Sequence, residues 1–332
     1  MNTNKILNFF QLLAFVLLLV TVVGYANPEG VVLKIGHMYT ESHSIHKGFE
    51  KFNERLKELS SGKIYADIYP NAILGSDTDM IDQMKIGALD MNPTSLAYFQ
   101  GQYSIAMIDE LPFLWDNSEH WHAGMDGVYG DAIRSEIFDN ENFIHLASWG
   151  VGPRHFTNNK RPIVVPEDLA GLKIRSAQSI VRLKTFEALN ATAVSMPFPE
   201  VFTSLQQGIL DGQENPLAMI ASASFWEVQD YLSISGHIFT GLLVIMPKQK
   251  WDSFSEEEHT WIQTAMDEAT VYQRDIARQD DENLLEYLDG KMEVNKVDVD
   301  AFRKAVEPVY DFFIEKYGYE NLIQMIKNAS PN

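Results

Sequence analysis

The sequence predicts a mixed α/β protein of two lobes, joined by strands that cross between them and by one long helix that spans both. Three observations carry this expectation. Short β-branched or aromatic runs alternate with segments whose apolar residues recur at helical spacing. A Gly150-Val151-Gly152-Pro153 run interrupts the chain near its middle, and an apolar run from His237 to Met246 offers a return into the first half. Beyond it, Trp261, Ile262, Ala265, Met266, Ala269, Tyr272 and Ile276 repeat without a breaker before Gly290, a helix of more than about 45 Å at about 1.5 Å per residue.

The elements follow in order. Lys5, an apolar run from Ile6 to Val23, and the small residues Gly24 and Ala26 read as a secretory leader over residues 1–26, cleaved after Ala26; an uncleaved membrane anchor is the alternative. Val31 to Gly36 is a strand. Ile45, Phe49, Phe52, Leu56 and Leu59 mark a helix that Ser60-Ser61-Gly62 stops, and Ile64 to Tyr69 is the second strand. Ser76 with Asp79 forms a capping box for a helix carrying Met80, Ile81 and Met84, after which Asp90 to Asn92 rejoins the sheet.

Phe143 to Trp149 is a strand that the Gly-Val-Gly-Pro run should break, placing a crossing between lobes there. Leu172 to Arg175 and Ala193 to Met196 flank a helix, and Val201, Phe202, Leu205 and Ile209 mark the next. Ser255 with Glu258 caps the long helix, and Asp298 to Tyr317 closes the chain as an amphipathic helix kinked at Pro308. The resulting division is 27–152 plus 238–275 for lobe I and 153–237 plus 276–332 for lobe II.

Composition excludes several classes. With 332 residues, 45% hydrophobic, the chain can bury a substantial core. Its formal net charge of −20 repels nucleic acid. The Cys count of 0 removes disulfides, zinc–thiolate sites and thiol nucleophiles. No phosphate-binding loop, nucleophile elbow, dinucleotide fingerprint or zinc helix is present, so no cofactor is expected. Glu41, His43 and His46 are the nearest thing to a metal set, but histidines at a helix start more often cap or sit on the surface. His120 and His122 would diverge on a helix. Asp109-Glu110 and Asp280-Asp281-Glu282 read as solvated acidic faces.

The informative residues are polar ones set into apolar strands. Arg175 ends Leu-Lys-Ile-Arg, where a cation is costly unless it meets an anion. Arg154 follows the Gly-Val-Gly-Pro run, and Asn215 precedes Pro216. Such donors at a lobe boundary suit capture of a carboxylate, since the guanidinium fork matches two carboxylate oxygens; salt bridges within the protein are the alternative.

Tyr69-Pro70, Leu74-Gly75-Ser76-Asp77, Gly87-Ala-Leu-Asp90, Leu111-Pro-Phe113, Pro166-Glu-Asp-Leu-x-Gly-Leu-Lys-Ile-Arg175, Met196-Pro-Phe-x-Glu200 and Leu205-Gln-Gln-Gly-x-x-Asp-Gly-Gln-Glu-Asn215-Pro216 together resemble the DctP-type solute-binding proteins of tripartite ATP-independent periplasmic (TRAP) transporters. The resemblance covers essentially the whole chain after the leader. It implies a two-lobed periplasmic binding protein of Venus-flytrap form that delivers a small organic acid, a sugar acid or a C4-dicarboxylate, to membrane permease subunits. It is not expected to be an enzyme, and a monomer is expected.

The resemblance also implies roles. Arg175 would grip the solute carboxylate, with Arg154 and Asn215 assisting and Phe198 packing against the solute. Asp77, Thr94 and Gln178 would line the pocket, and Tyr98 lies a turn beyond Thr94. Met38 and Thr94 stand where sialic-acid binders of the family carry a polar side chain and an acid, which argues against sialic acid. Tyr39, Glu41, His43 and His46 offer partners for solute hydroxyls. A ligand sensor for a receptor kinase, or a secreted lyase or hydrolase of sugar acids, are the competing classes.

Overall fold

The structure is a computed structural model that describes residues 30–177 and 179–329. The expected leader over residues 1–26 lies outside them. Among the described residues no helix is long and apolar enough to cross a membrane.

Strand β1 (Val31–Gly36) pairs in parallel with β2 (Ile64–Tyr69), and helix α1 (Ser44–Leu59) makes the crossover. Its buried residues Ile45, Phe49, Phe52 and Leu56 recur at intervals of three and four, which puts them on the face turned to the sheet. The Ser76–Asp79 capping box opens α2 (Asp77–Lys85) as expected. The return to the sheet comes later than the spacing suggested: Met91 bridges Ile35, and β3 covers Asn92–Thr94.

The largest departure lies in β4. The expected break after Trp149 does not occur, and one strand runs from Phe143 to Asn158. One register shift falls at His145/Ala147; a second, at Gly150/Gly152, absorbs the glycines as a bulge, and Gly152 takes φ +129, a conformation that side chains rarely adopt. The bulge lets the strand change partners. Up to Pro153 it pairs with β9 (Phe239–Pro247), itself paired to β3; from Arg154 on it pairs with β7 (Gly212–Pro216), and from Phe156 with β8 (Tyr231–Ile234). The second sheet runs β10-β8-β4-β7-β5-β6, with β5 at Lys173–Ser176, β6 at Thr192–Ser195 and β10 at Glu293–Lys296. Helix α5 (Ile180–Ala188) connects β5 to β6. The next helix, α6 (Val201–Gln206), stops short of Ile209, which falls in the turn beyond it and is exposed, contrary to the periodicity.

The long helix, Glu256–Asp289, is about 51 Å at 1.5 Å per residue. Ile262, Ala265, Met266 and Ala269 sit in one core with Phe49 and Trp149, while Leu288 belongs to another with Leu217, Ile220 and Leu232. Between these two regions Gln273 is fully buried and donates to the Gly150 carbonyl at 2.8 Å, tying the helix to the bulge. Ser255 and Glu258 cap its first turn reciprocally. Ser255→Ala is expected to cost about 1 kcal/mol of stability, read as a lower urea midpoint at an unchanged m-value; an unchanged midpoint would mean the cap contributes nothing.

The tail differs from the single kinked helix that was expected. It forms helices at Val299–Ala305, Glu307–Tyr317 and Glu320–Asn328, and Pro308 stands in the first turn of the second, where its missing N–H leaves no bond unmade.

Candidate functional site

Arg175 occupies the third position of β5, next to Ile174, which is fully buried. Its side chain is only 5% exposed. Nε and Nη2 both donate to the Met196 carbonyl, at 2.9 and 2.7 Å, just past the end of the neighbouring β6. Among the described residues no carboxylate lies within ion-pair distance of it. Burial pushes the guanidinium down to about 10, so the fold holds a cation that its surroundings disfavour. The half-buried Phe198 ring lies beneath, its centroid 5.9 Å from Cζ, and meets Phe225 edge-on.

Arg154 and Asn215 are differently placed. Arg154 is ion-paired with Glu214 through Nε, and its Nη atoms donate to Thr240 Oγ1 and Asn215 Oδ1, each at 3.0 Å. Asn215 in turn donates to Gln213 Oε1. The salt-bridge alternative thus describes Arg154, whose donors are largely spent on holding β7, and does not describe Arg175.

A third guanidinium, Arg182 on α5, was absent from the sequence reading. It is buried, pairs with Glu110 Oε1 at 2.7 Å and approaches Glu214 Oε1 at 3.4 Å. Burial alone would raise the Glu214 carboxyl; Arg154 and Arg182 outweigh it and hold Glu214 well below the usual carboxylate range. In this cluster Glu214 and Glu110 balance Arg154 and Arg182, and the charge of Arg175 is left over.

The N-terminal half of the chain holds the other residues expected at the site. Tyr98 donates to Asp77 Oδ2 at 2.7 Å; Asp77 is buried at the start of α2, which raises its pKa, while Tyr98 remains 44% exposed. The Tyr39 phenol is raised by burial and by Asp77 and lowered by Arg154, which places it in the field of both sides of the cluster. Thr94 is fully buried, its hydroxyl 3.5 Å from the Ser95 carbonyl. Glu41 stands exposed on its turn, outside the cluster. Gln178 lies outside the described residues.

Other residues take structural places. His43 caps α1, accepting from the Ile45 N–H, and His46 bonds to His37 at 3.1 Å. Asp109 and Glu110 are not a solvated face: both are buried, and Asp109 accepts from the Trp121 indole at 2.8 Å. His120 is fully packed, its Nε2 2.8 Å from the Ile326 carbonyl. A cavity of about 480 Å³ near Phe113 and Tyr310 lies away from the cluster, and its cations are already engaged, Arg303 with Asp116 and Lys327 over the Tyr310 ring.

Burial pushes Asp109 up to about 7, above the ordinary 3.9. Because the folded value is the raised one, stability falls as pH rises from about 4 to 7 while only the unfolded chain ionises. Asp109→Asn keeps the acceptor for Trp121 and should flatten that decline, gaining on the wild type at pH 8 relative to pH 4.5 in urea titrations. Parallel pH profiles would exclude this role for Asp109.

Two lobes sharing a continuous strand and a spanning helix, with a buried guanidinium that has no carboxylate partner among the described residues, have the form of a two-lobed solute-binding protein. The chain belongs to the bacterial extracellular solute-binding proteins, family 7 (DctP), whose profile matches residues 35–316. It is 32% identical over 286 residues to the 2,3-diketo-L-gulonate-binding periplasmic protein YiaO of Escherichia coli, covering 85% of this chain and 87% of that one. Among solved structures it resembles a TRAP periplasmic solute-binding protein from Polaromonas bound to D-erythronate, with TM-score 0.84 and 33% identity over 91% of this chain and 100% of the other. One from Sulfurospirillum deleyianum with bound succinate gives TM-score 0.82 and 31% identity over 90% and 99%.

Proposed function

We propose that this protein is exported through its leader, captures a small organic acid in the periplasm by closing two lobes on it, and delivers it unchanged, as a monomer, to the permease subunits of a TRAP transporter. The relatives support the solute class, a sugar acid or a dicarboxylate. Arg175 receives the carboxylate, Phe198 packs against the solute, Arg154 and Asn215 hold the strand that frames it, and Tyr39, Asp77, Thr94 and Tyr98 line the opposite side. Lobe I is 27–152 plus 238–275 and lobe II is 153–237 plus 276–332; the change of strand partner at Pro153 and Arg154 supports that boundary.

The observation that carries the reading is the missing counter-ion of Arg175. A buried guanidinium bonded only to a carbonyl keeps an unmet electrostatic demand, and a solute carboxylate meets it where water screens least. A thermal-shift screen over an organic-acid library tests this, since a ligand at 100 times its Kd stabilises by about 2.7 kcal/mol. Acids should raise the melting temperature while the matching neutral sugars and alcohols do not; stabilisation by neutral compounds alone would end the proposal.

A further inference from the structure

Gln213, Thr157 and Gln229 are polar side chains in the interior of the second sheet. Gln213 and Thr157 are fully buried, and Gln229 is 2% exposed. Strand register explains their company. Arg175 of β5 pairs with Gln213 of β7, and Gln213 pairs with Thr157 of β4, so they stand side by side in one row across neighbouring strands. Asn215 lies two residues further along β7, on the same face. Because β5 and β7 run parallel, Arg175 and Asn215 come together at the carboxyl ends of adjacent strands, where an open α/β sheet meets its ligand.

The hydrogen bonds among these side chains run one way. Arg154 can only donate, so Asn215 turns Oδ1 towards its Nη2, at 3.0 Å. That sends Asn215 Nδ2 to Gln213 Oε1. Gln213 donates through Nε2 to Thr157 Oγ1 at 2.9 Å, and the Thr157 hydroxyl donates to Gln229 Oε1 at 3.0 Å. Gln229 Nε2 ends the chain on the Val228 carbonyl and Asn159 Oδ1, at 2.9 and 3.0 Å. Reversing any one of these buried amides leaves at least one end of it donor against donor or oxygen against oxygen.

Asn215 is what the chain serves. Arg154 alone holds it loosely, because Nη2 also donates to the Glu214 carbonyl and to Glu214 Oε1, and its hydrogens are shared among more acceptors than it can satisfy at once. The pull of Gln213 on Nδ2 completes the hold. With Oδ1 on Arg154 and one Nδ2 hydrogen on Gln213, the remaining N–H of Asn215 has no acceptor among the described residues, and the side chain is only 3% exposed. A carboxylate oxygen accepts from an N–H and is repelled by a carbonyl oxygen, so the sense of this one amide decides whether Asn215 helps or opposes an acid.

We propose that Gln213, Thr157 and Gln229 are positioning residues for solute binding: their chain keeps Asn215 turned so that its free N–H is offered to the solute carboxylate beside Arg175. The inference rests on the carboxylate clamp at Arg175 proposed above.

Calorimetric titrations of the purified mature chain with D-erythronate, D-galactonate, D-glucuronate and succinate test it, the tightest of the four serving as probe. Thr157→Val keeps the side-chain shape, removes the hydroxyl and should weaken the probe fivefold or more; Thr157→Ser restores the hydroxyl and should bring affinity back to within twofold of the wild type. A loosened sheet would also weaken binding, so the deciding measurement is whether the loss passes through Asn215. In an Asn215→Ala background Thr157→Val should change affinity less than twofold, because the group it positions is gone. Gln229→Met breaks the far link and carries the same measurements if Thr157→Val does not fold. No loss in Thr157→Val, an equal loss in Thr157→Ser, or an undiminished loss in the Asn215→Ala background overturns the positioning role, and the clamp stands if Arg175→Ala still weakens the probe. Wild-type affinity in Arg175→Ala, or no binding of any of the four acids to the wild type, overturns the clamp and the inference with it.

Discussion

Arg175→Ala is expected to weaken binding of the cognate acid by about 2 to 5 kcal/mol, roughly thirtyfold to several thousandfold, the range for stripping one partner from a buried, hydrogen-bonded charge pair. Its effect on the unliganded fold should run the other way. The cation is 5% exposed, bonded to a single carbonyl and already pushed down to about 10 by burial. Removing it relieves a desolvation cost that the Met196 carbonyl and the charge of Glu214 offset only in part, so the variant should melt no lower than the wild type, and Arg175→Met, which refills the space, should melt higher. A residue held for packing would behave oppositely, lowering stability while leaving affinity alone. Titration calorimetry and thermal unfolding on the same two variants separate the cases.

Glu214→Gln should produce the reverse pattern, a large loss of stability. Glu214 is fully buried, pairs with Arg154, lies 3.4 Å from Arg182, and has His237 Nε2 at 3.3 Å. Neutralising it strands two buried guanidiniums, and breaking such a pair costs about 3–5 kcal/mol. The pH dependence has a definite sign. Because the folded-state pKa is depressed below the unfolded one of about 4.3, the contribution is fully present at neutral pH and is lost as pH falls below about 4 through the folded value. The gap between wild type and Glu214→Gln in urea unfolding should therefore be widest near pH 7 and shrink in acid; a gap independent of pH would remove Glu214 from its electrostatic role.

The parts of this architecture legible in sequence are those written in local spacing. The interval between Phe49, Phe52 and Leu56, and the paired Ser and acid three residues apart at Ser76 and Ser255, are short-range signals, and the helices stand where they point. Glycines misled at β4, because Gly150 and Gly152 can end a strand or bulge it, and the pairing with β9 that settles the matter comes from residues about ninety positions away. The same distance hid half of the cluster. Nothing near Arg182 announces Glu110, which lies 72 residues earlier, and nothing in Asp109-Glu110 says that the pair is buried. Arg175 was legible because a cation in an apolar strand is improbable without a purpose. That Arg154 has its own carboxylate, and Arg175 has none, depends on the fold alone.

The central claim is that the guanidinium of Arg175 meets the carboxylate of the solute. A double-mutant cycle measures that contact directly: calorimetric affinities of the best-binding acid and of its primary amide, each against the wild type and Arg175→Met. The account predicts that exchanging acid for amide costs the wild type about 2 kcal/mol or more and costs the variant almost nothing, because the charge that distinguishes the two ligands is gone. An equal cost in both proteins would mean that the carboxylate is held elsewhere.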